Sequence, residues 1–134
     1  MEVTNGFGPI DIAISGMRAQ DKNLSIISSN VANAQSTDNG KGEPYRRLEA
    51  VFKAAGDGLG GVRLDEVVED KGDLPKILRP GHPDADEQGY VTMPNVDLPV
   101  EMINLTLAAR AYQANVAVLK RYQRMVETTL ELLR

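Results

Sequence analysis

Hydrophobic positions in this chain concentrate in two long stretches, one near each end, and in both they recur every seven residues. In the C-terminal stretch Leu105, Tyr112, Leu119, Val126 and Leu133 keep that spacing. Met102, Ala109, Val116 and Leu130 stand three places before them, with Gln123 as the polar interruption. This is the a/d seam by which helices pack side by side. A second line, Ala111, Val118, Met125 and Leu132, runs beside it. The N-terminal stretch repeats the arrangement. Ile10, Met17, Leu24 and Val31 are flanked by Ala13, Ile27 and Ala34, and Ile12, Ala19 and Ile26 form the second line. One partner helix covers one seam, so each second line calls for a further protein surface. The pattern predicts a chain packed among copies or relatives of itself.

Pro9 suits a first helical turn, and the helical pattern runs from there to about Ala34, roughly 37 Å at 1.5 Å per residue. Gly16 inside it costs about 1 kcal/mol relative to alanine. A neighbouring backbone approaching closely would explain it, and so would a plain surface glycine. Residues 1–8 are small and polar apart from Phe7 and are expected to lack structure until bound. Gln35 to Pro44 reads as a loop. Short strands are expected at Tyr45–Lys53, Val62–Val68, Lys76–Leu78 and Tyr90–Met93, with Val62 and Leu64 alternating with charge as a half-buried strand does. The last helix opens on Asp97 as N-cap, with Pro99 in its first turn, and runs to the last residue. The fold class is α+β: two long terminal helices packed as an antiparallel, coiled-coil-like pair, with a small β-rich module between them. Residues 1–40 and 96–134 would form one discontinuous helical domain, and 41–95 the β domain.

Composition narrows the function. At 134 residues the chain fits one ordinary domain or two small pieces. A net charge of −4 offers no field for nucleic acid or an anionic membrane. Four Tyr, two Phe and no Trp exclude a large aromatic core or a base-stacking platform. Without cysteine there is no disulfide, no thiolate chemistry and little scope for zinc. No apolar run reaches the roughly 18 residues that read as a membrane span. Glu2 stands where a secretory signal wants positive charge, and no apolar segment follows it.

Candidate chemistry is thin. His82, the sole histidine, lies between Gly81 and Pro83 and reads as an exposed loop residue. Asp84-Ala85-Asp86-Glu87-Gln88-Gly89 imitates the start of a calcium loop, but the twelfth place is Asn95 instead of a bidentate glutamate, so a polar turn is the better reading. Gly56–Gly61 is followed by no Gly-Lys-Ser/Thr and reads as a flexible turn. Arg46-Arg47 and Lys120, Arg121 and Arg124 are basic clusters; the latter three lie opposite the seams, either solvated or facing acidic neighbours in an assembly. No acid–base pair, metal set or nucleophile stands out, so neither catalysis nor a cofactor is expected.

Two motifs on the helices carry a family resemblance. Ser29-Asn30-Val31-Ala32-Asn33-Ala34 resembles the Ser-Asn-x-Ala-Asn signature of bacterial flagellar axial proteins, the rod, hook and hook-associated subunits. Arg110-Ala111-Tyr112-Gln113-Ala114-Asn115-Val116, followed by Val118-Leu119 and Met125, resembles the C-terminal signature of the same family. Between them, Pro44-Tyr45-Arg46-Arg47, Gly61-Val62-Arg63, Pro80-Gly81-His82-Pro83 and Gly89-Tyr90-Val91-Thr92-Met93-Pro94-Asn95-Val96 are similar to its short proximal rod members. Gln35 and the loop to Pro44 depart from that pattern.

The resemblance implies a structural subunit of the proximal rod, exported unfolded by the flagellar type III system without a cleaved signal and assembled in the periplasm. Its helices would line the tube and its β module would face outward. Its partners would be copies of itself, other rod subunits and the export apparatus. Physically, Asn30 and Asn33 at a helix end can bond free carbonyls, adopt the left-handed conformation that stops a helix, or face water. Asn115 and Gln113, on or beside a seam, can fix register as buried amides or face solvent. A helical binding or regulatory protein dimerising as a coiled coil is the rival reading, against which the two apolar lines per helix argue. With two seams per helix unmatched inside one chain, the terminal segments are expected to fold only on assembly.

Overall fold

The computed structural model describes residues 8–56 and 60–134. Its elements run α1 (Pro9–Ala32), β1 (Leu48–Ala54), β2 (Val62–Glu69), β3 (Lys76–Leu78), β4 (Tyr90–Thr92) and α2 (Leu98–Leu132). The architecture is α+β, two helices with a small antiparallel β module between them in sequence. The expectations for residues 1–7 and for the middle of the Gly56–Gly61 turn lie outside the described residues.

Local chemistry sets the helix ends. Pro9 occupies the first helical position, and the Asp11 carboxylate accepts a hydrogen bond from the Gly8 N–H at 3.1 Å. At the other end the Asn33 amide donates to the Ser29 carbonyl at 2.9 Å. Asn33 keeps φ at −101°, so the helix is ended by side-chain capping and not by a left-handed residue. Asp97 caps α2 by accepting from Val100 N–H at 3.2 Å.

α1 and α2 pack antiparallel: Asn30 meets Glu101 near one end of the pair, and Gly16 lies beside Asn115 further along. The β module consists of two separate hairpins, β1–β2 and β3–β4. In the first, Leu48 pairs with Glu69 and Ala54 with Val62, with a bulge at Val51/Phe52 where Val51 opposes Glu66 and Phe52 opposes Leu64. Val62, Leu64 and Val68 are its half-buried positions on β2. β1 starts at Leu48, not at Tyr45, because the Tyr45 and Arg47 N–H groups are drawn off to Ser36 O and Asn95 Oδ1, leaving only Arg47 O to meet Asp70 N–H of the opposite strand. The second hairpin pairs Ile77 with Val91, and Val91, Met93 and Pro94 are buried.

The β1–β2 hairpin lies against α1. Val62 N–H donates to Ser15 Oγ at 3.0 Å, and a Cβ at Gly61 would collide with that hydroxyl. Glycine there lets the strand reach the helix. Ala19, from the second apolar line of α1, is buried, and it shares a recess with Val62 and Leu64. Part of that line is therefore covered inside the chain, and the further protein surface it calls for is, at Ala19, the hairpin of the same chain.

Candidate assembly surface and its polar anchor

The deepest line of α2 is Glu101 and Ala108, continued by half-buried Asn115 and Tyr122. It falls one position before the expected line of Met102, Ala109 and Val116. Of the expected seam residues, Leu105, Tyr112, Val116 and Leu119 are half-buried, whereas Met102, Val126 and Leu130 are exposed. On α1, Ile27 and Ala13 are buried and Ile10, Met17, Leu24 and Val31 are half-buried. The pair turns towards its small residues, Ala13 and Gly16 on α1 and Ala108 on α2, because these let the axes approach. A Cβ on Gly16 would sit 2.8 Å from Asn115 Nδ2. Gly16 is thus neither a surface glycine nor a backbone contact; it makes room for an amide. Asn115 donates to Ala111 O within its own helix at 3.1 Å. Gln113 and Arg110 are exposed.

At the end of the pair near Asn30 the three parts of the chain meet in one polar knot. Asn30 and Glu101 are both fully buried, at 0% exposure. The Asn30 amide donates to Leu48 O at 2.9 Å and to Glu101 Oε2 at 3.1 Å. Its oxygen accepts from Leu48 N–H and from the Tyr45 hydroxyl, each at 2.9 Å. All four hydrogen-bonding places of the amide are filled. Glu101 Oε1 receives Arg47 Nε at 2.5 Å, and Arg47 Nη1 also pairs with Glu49. Burial alone would lower the Arg47 pKa, but hydrogen bonds and charge from Glu101 and Glu49 outweigh it and hold the pKa above the ordinary arginine value. The guanidinium therefore stays charged, as a buried carboxylate requires.

Behind the knot, Asn95 Oδ1 accepts from Arg47 N–H at 2.8 Å and its amide donates to Asp70 O at 3.1 Å. Arg46 donates to the carbonyls of Asp70 and Gly72. Neither arginine of the 46–47 pair is simply solvated. Around the motif, Ser29 Oγ lies 3.3 Å from the Tyr45 hydroxyl, while Ala32 is exposed.

Sequence reasoning missed Glu101, Arg47 and Asn95 as a unit. Glu101 lies in the first turn of α2, where an acid reads as a complement to the helix dipole. The signal lay in the quoted motifs: Tyr45, Arg47 and Asn95 all belong to them, and each bonds within this knot or to one of its members.

The turns hold no open chemistry of their own. His82 is half-buried and its Nδ1 accepts from Asp84 N–H at 3.1 Å, so it is not the fully exposed loop residue expected. Asp86 Oδ1 accepts from Gln88 and Tyr90 N–H, both at 2.9 Å, and Asp84 Oδ2 accepts from Thr37 Oγ1 at 2.7 Å. No helix among the described residues is long and apolar enough to cross a membrane.

Among the described residues, two features stand out that intrachain packing does not use. One is the second line of α2: Ala111 is half-buried, but Val118 is 49% exposed, Met125 56% and Leu132 83%. Ile103 and Leu107 are exposed too. The other is an open cleft of about 450 Å³ between α1, α2 and β1, with Ile26, Phe52, Leu107, Gln20, Asn23 and Asn104 among its lining residues.

Both helical segments match known proteins. Residues 10–39 match the family described as flagella basal body rod protein. Residues 87–132 match the family described as flagellar basal body rod FlgEFG protein C-terminal. The flagellar basal-body rod protein FlgC of Salmonella typhimurium is 44% identical over 125 residues, covering 91% of this chain and 93% of the relative. Its counterpart in Yersinia enterocolitica is 43% identical with the same coverage. The one in Borreliella burgdorferi is 33% identical, covering 95% of this chain and 97% of the relative.

Proposed function

The chain belongs to the family of flagellar basal-body rod proteins and is a structural subunit of that rod, and on this premise we propose that it is a proximal rod subunit that assembles through the bare lines of α2. The observation that carries the proposal is the exposed line of Val118, Met125 and Leu132 on a helix whose α1-facing seam is already occupied. An apolar stripe of that length left in water has its use in burial against a neighbour. Other copies and other rod subunits are the partners that fit. The role is mechanical: the knot at Asn30, Arg47 and Glu101 fixes the helix pair to the β module, so load on one is carried to the other.

The type III export route and periplasmic assembly belong to the same proposal. The seam residues Ile10, Met17, Leu24, Ile27, Val31, Leu105, Tyr112, Val116 and Leu119 would hold the pair together, and Val118, Met125, Val126 and Leu130 would join neighbours. The test is complementation. In cells lacking this chain, the unaltered protein should restore swimming, and Met125→Asp should be made and exported yet leave basal bodies without a completed rod. Normal swimming with Met125→Asp would exclude the α2 line as an assembly surface.

A further inference from the structure

The segment between α1 and β1 turns back on itself around a chemically fragile pair, Asn39–Gly40. Asn39 N–H donates to Glu43 O at 2.7 Å and Tyr45 N–H to Ser36 O at 3.0 Å, which closes residues 36–45 into a turn. That turn delivers Tyr45, whose hydroxyl donates to Asn30 Oδ1 inside the knot. Near its start, Thr37 Oγ1 is tied to Asp84 Oδ2 at 2.7 Å.

An asparagine followed by glycine is the pairing most open to deamidation, because no side chain shields the glycine nitrogen. In that reaction Gly40 N attacks Asn39 Cγ and an N–Cγ bond forms. The Cγ–Nδ2 bond breaks, and Nδ2 leaves as ammonia with the proton that Gly40 N gives up. Water then opens the cyclic imide at either carbonyl, leaving aspartate or isoaspartate, and nothing is oxidised or reduced. Access is free here. Asp38, Asn39 and Gly40 are exposed, and a Cβ at Gly40 would meet nothing within 4 Å.

Both reacting groups are nevertheless held. Gly40 N–H, whose proton must leave, donates to Asp38 Oδ1 at 2.8 Å, and Gly42 N–H reaches the same oxygen at 3.0 Å. A carboxylate beside that nitrogen disfavours the amide anion, as a like charge disfavours any ionisation. Asn39 Oδ1 accepts from Lys41 N–H at 2.9 Å, which anchors the side-chain amide in place.

We propose that Asn39 is a deamidation site that the fold keeps latent, with Asp38 as its guard. The reaction is slow while the 36–45 turn is closed and runs in the opened or unfolded chain, so a subunit that has not folded is the form that ages. Isoaspartate would add a backbone carbon between Ser36 and Tyr45 and slacken the turn that seats Tyr45 on Asn30. The proposal does not depend on how the subunit meets its neighbours.

The test follows the full-length protein at mildly alkaline pH, in buffer and in guanidinium chloride. Peptide mapping by mass spectrometry separates Asn39–Gly40 from the other such pair, Asn5–Gly6. Conversion at Asn39 is expected to be about tenfold or more slower in buffer, as befits an opening that breaks two or three turn hydrogen bonds. Asp38→Ala should speed the native reaction about threefold or more and leave the rate in guanidinium within about twofold. Asp38→Asn keeps the acceptor oxygen without the charge, should also be faster, and serves if the alanine variant does not fold. Equal rates in buffer and guanidinium would overturn the latency. A native rate in a folded Asp38 variant that is unchanged or slower would overturn the guard, and a slower one would make the carboxylate a base that assists the attack.

Discussion

The two helices carry the same seven-residue apolar pattern and meet opposite fates. α1 is covered on two sides: α2 lies along its Ala13–Gly16–Ile27–Asn30 face, and the β1–β2 hairpin covers Ala19 and engages Ser15. α2 is covered on one side only, and its lines through Met102, Ile103, Leu107, Val118 and Met125 stay bare along with its last ten helical residues. A repeat that predicts burial does not say whose atoms do the burying. Here α1 is the helix covered within the subunit, and α2 is the one left with apolar surface for the assembly role proposed above. Intrachain burial is thus shared unequally between two sequences that look alike.

On the reading that the buried Asn30–Arg47–Glu101 knot already holds both helices in the isolated subunit, against the expectation of folding only on assembly, the largest expected effect comes from breaking it. Arg47→Met leaves Glu101 buried without its cation, at a cost of about 3 kcal/mol or more in urea unfolding. The double change Arg47→Met with Glu101→Leu should recover much of it, because no charge is then left buried. Since the Arg47 pKa is raised, its contribution is present at every pH below the ordinary arginine value and fades only as pH climbs through the folded value. The loss should therefore be flat across neutral pH as far as Arg47 is concerned. If the double variant is as unstable as the single one, the ion pair is not what ties the ends together.

The comparison itself is tested by placing one charge on each second line. Ala19→Asp puts a carboxylate under the hairpin, in a recess that Arg18, Lys22 and Arg63 also line, and should cost about 1–3 kcal/mol in the monomer. Val118→Asp, on the corresponding line of α2, should change monomer stability by no more than about 0.5 kcal/mol while stopping rod assembly. Equal destabilisation by the two would erase the distinction between a helix covered within the subunit and one left bare.

A smaller effect probes the close approach on the α1 side. Gly16→Ala gains about 1 kcal/mol of helix propensity but crowds the Asn115 amide, so alone it should be near neutral. In an Asn115→Ala background the same change should stabilise by about 1 kcal/mol. A clear gain in both backgrounds would mean that the amide yields freely and does not set the spacing.

Much of the fold was readable because the signals were local. Pro9, the Asp97 cap and the apolar repeats placed both helices within a few residues of their ends, and the alternation of Val62 and Leu64 placed β2. The Met102–Ala109–Val116 line of the seam was placed one position off for a reason that lies in how a pattern is scored. Counting apolar side chains favours Met102 and Val116 over Glu101 and Asn115, yet the buried line runs through the latter pair because each finds a partner. An acid in a first helical turn and an arginine in a basic pair both have ordinary surface explanations. Nothing in their neighbours along the chain distinguishes a buried ion pair from two solvated charges.

The sequence by itself determined the helices, the short strands and, through its family motifs, the rod family, since these depend on spacing, caps and residue order. Only the tertiary structure decided which apolar line each element covers, and that Asn30 spends its whole amide on β1, Tyr45 and α2. Those facts depend on how far apart residues 30, 47 and 101 are in space, and periodicity within one segment carries no information about distance to another. A buried carboxylate is tolerable only where a cation and an amide converge on it, and convergence is a property of the folded chain.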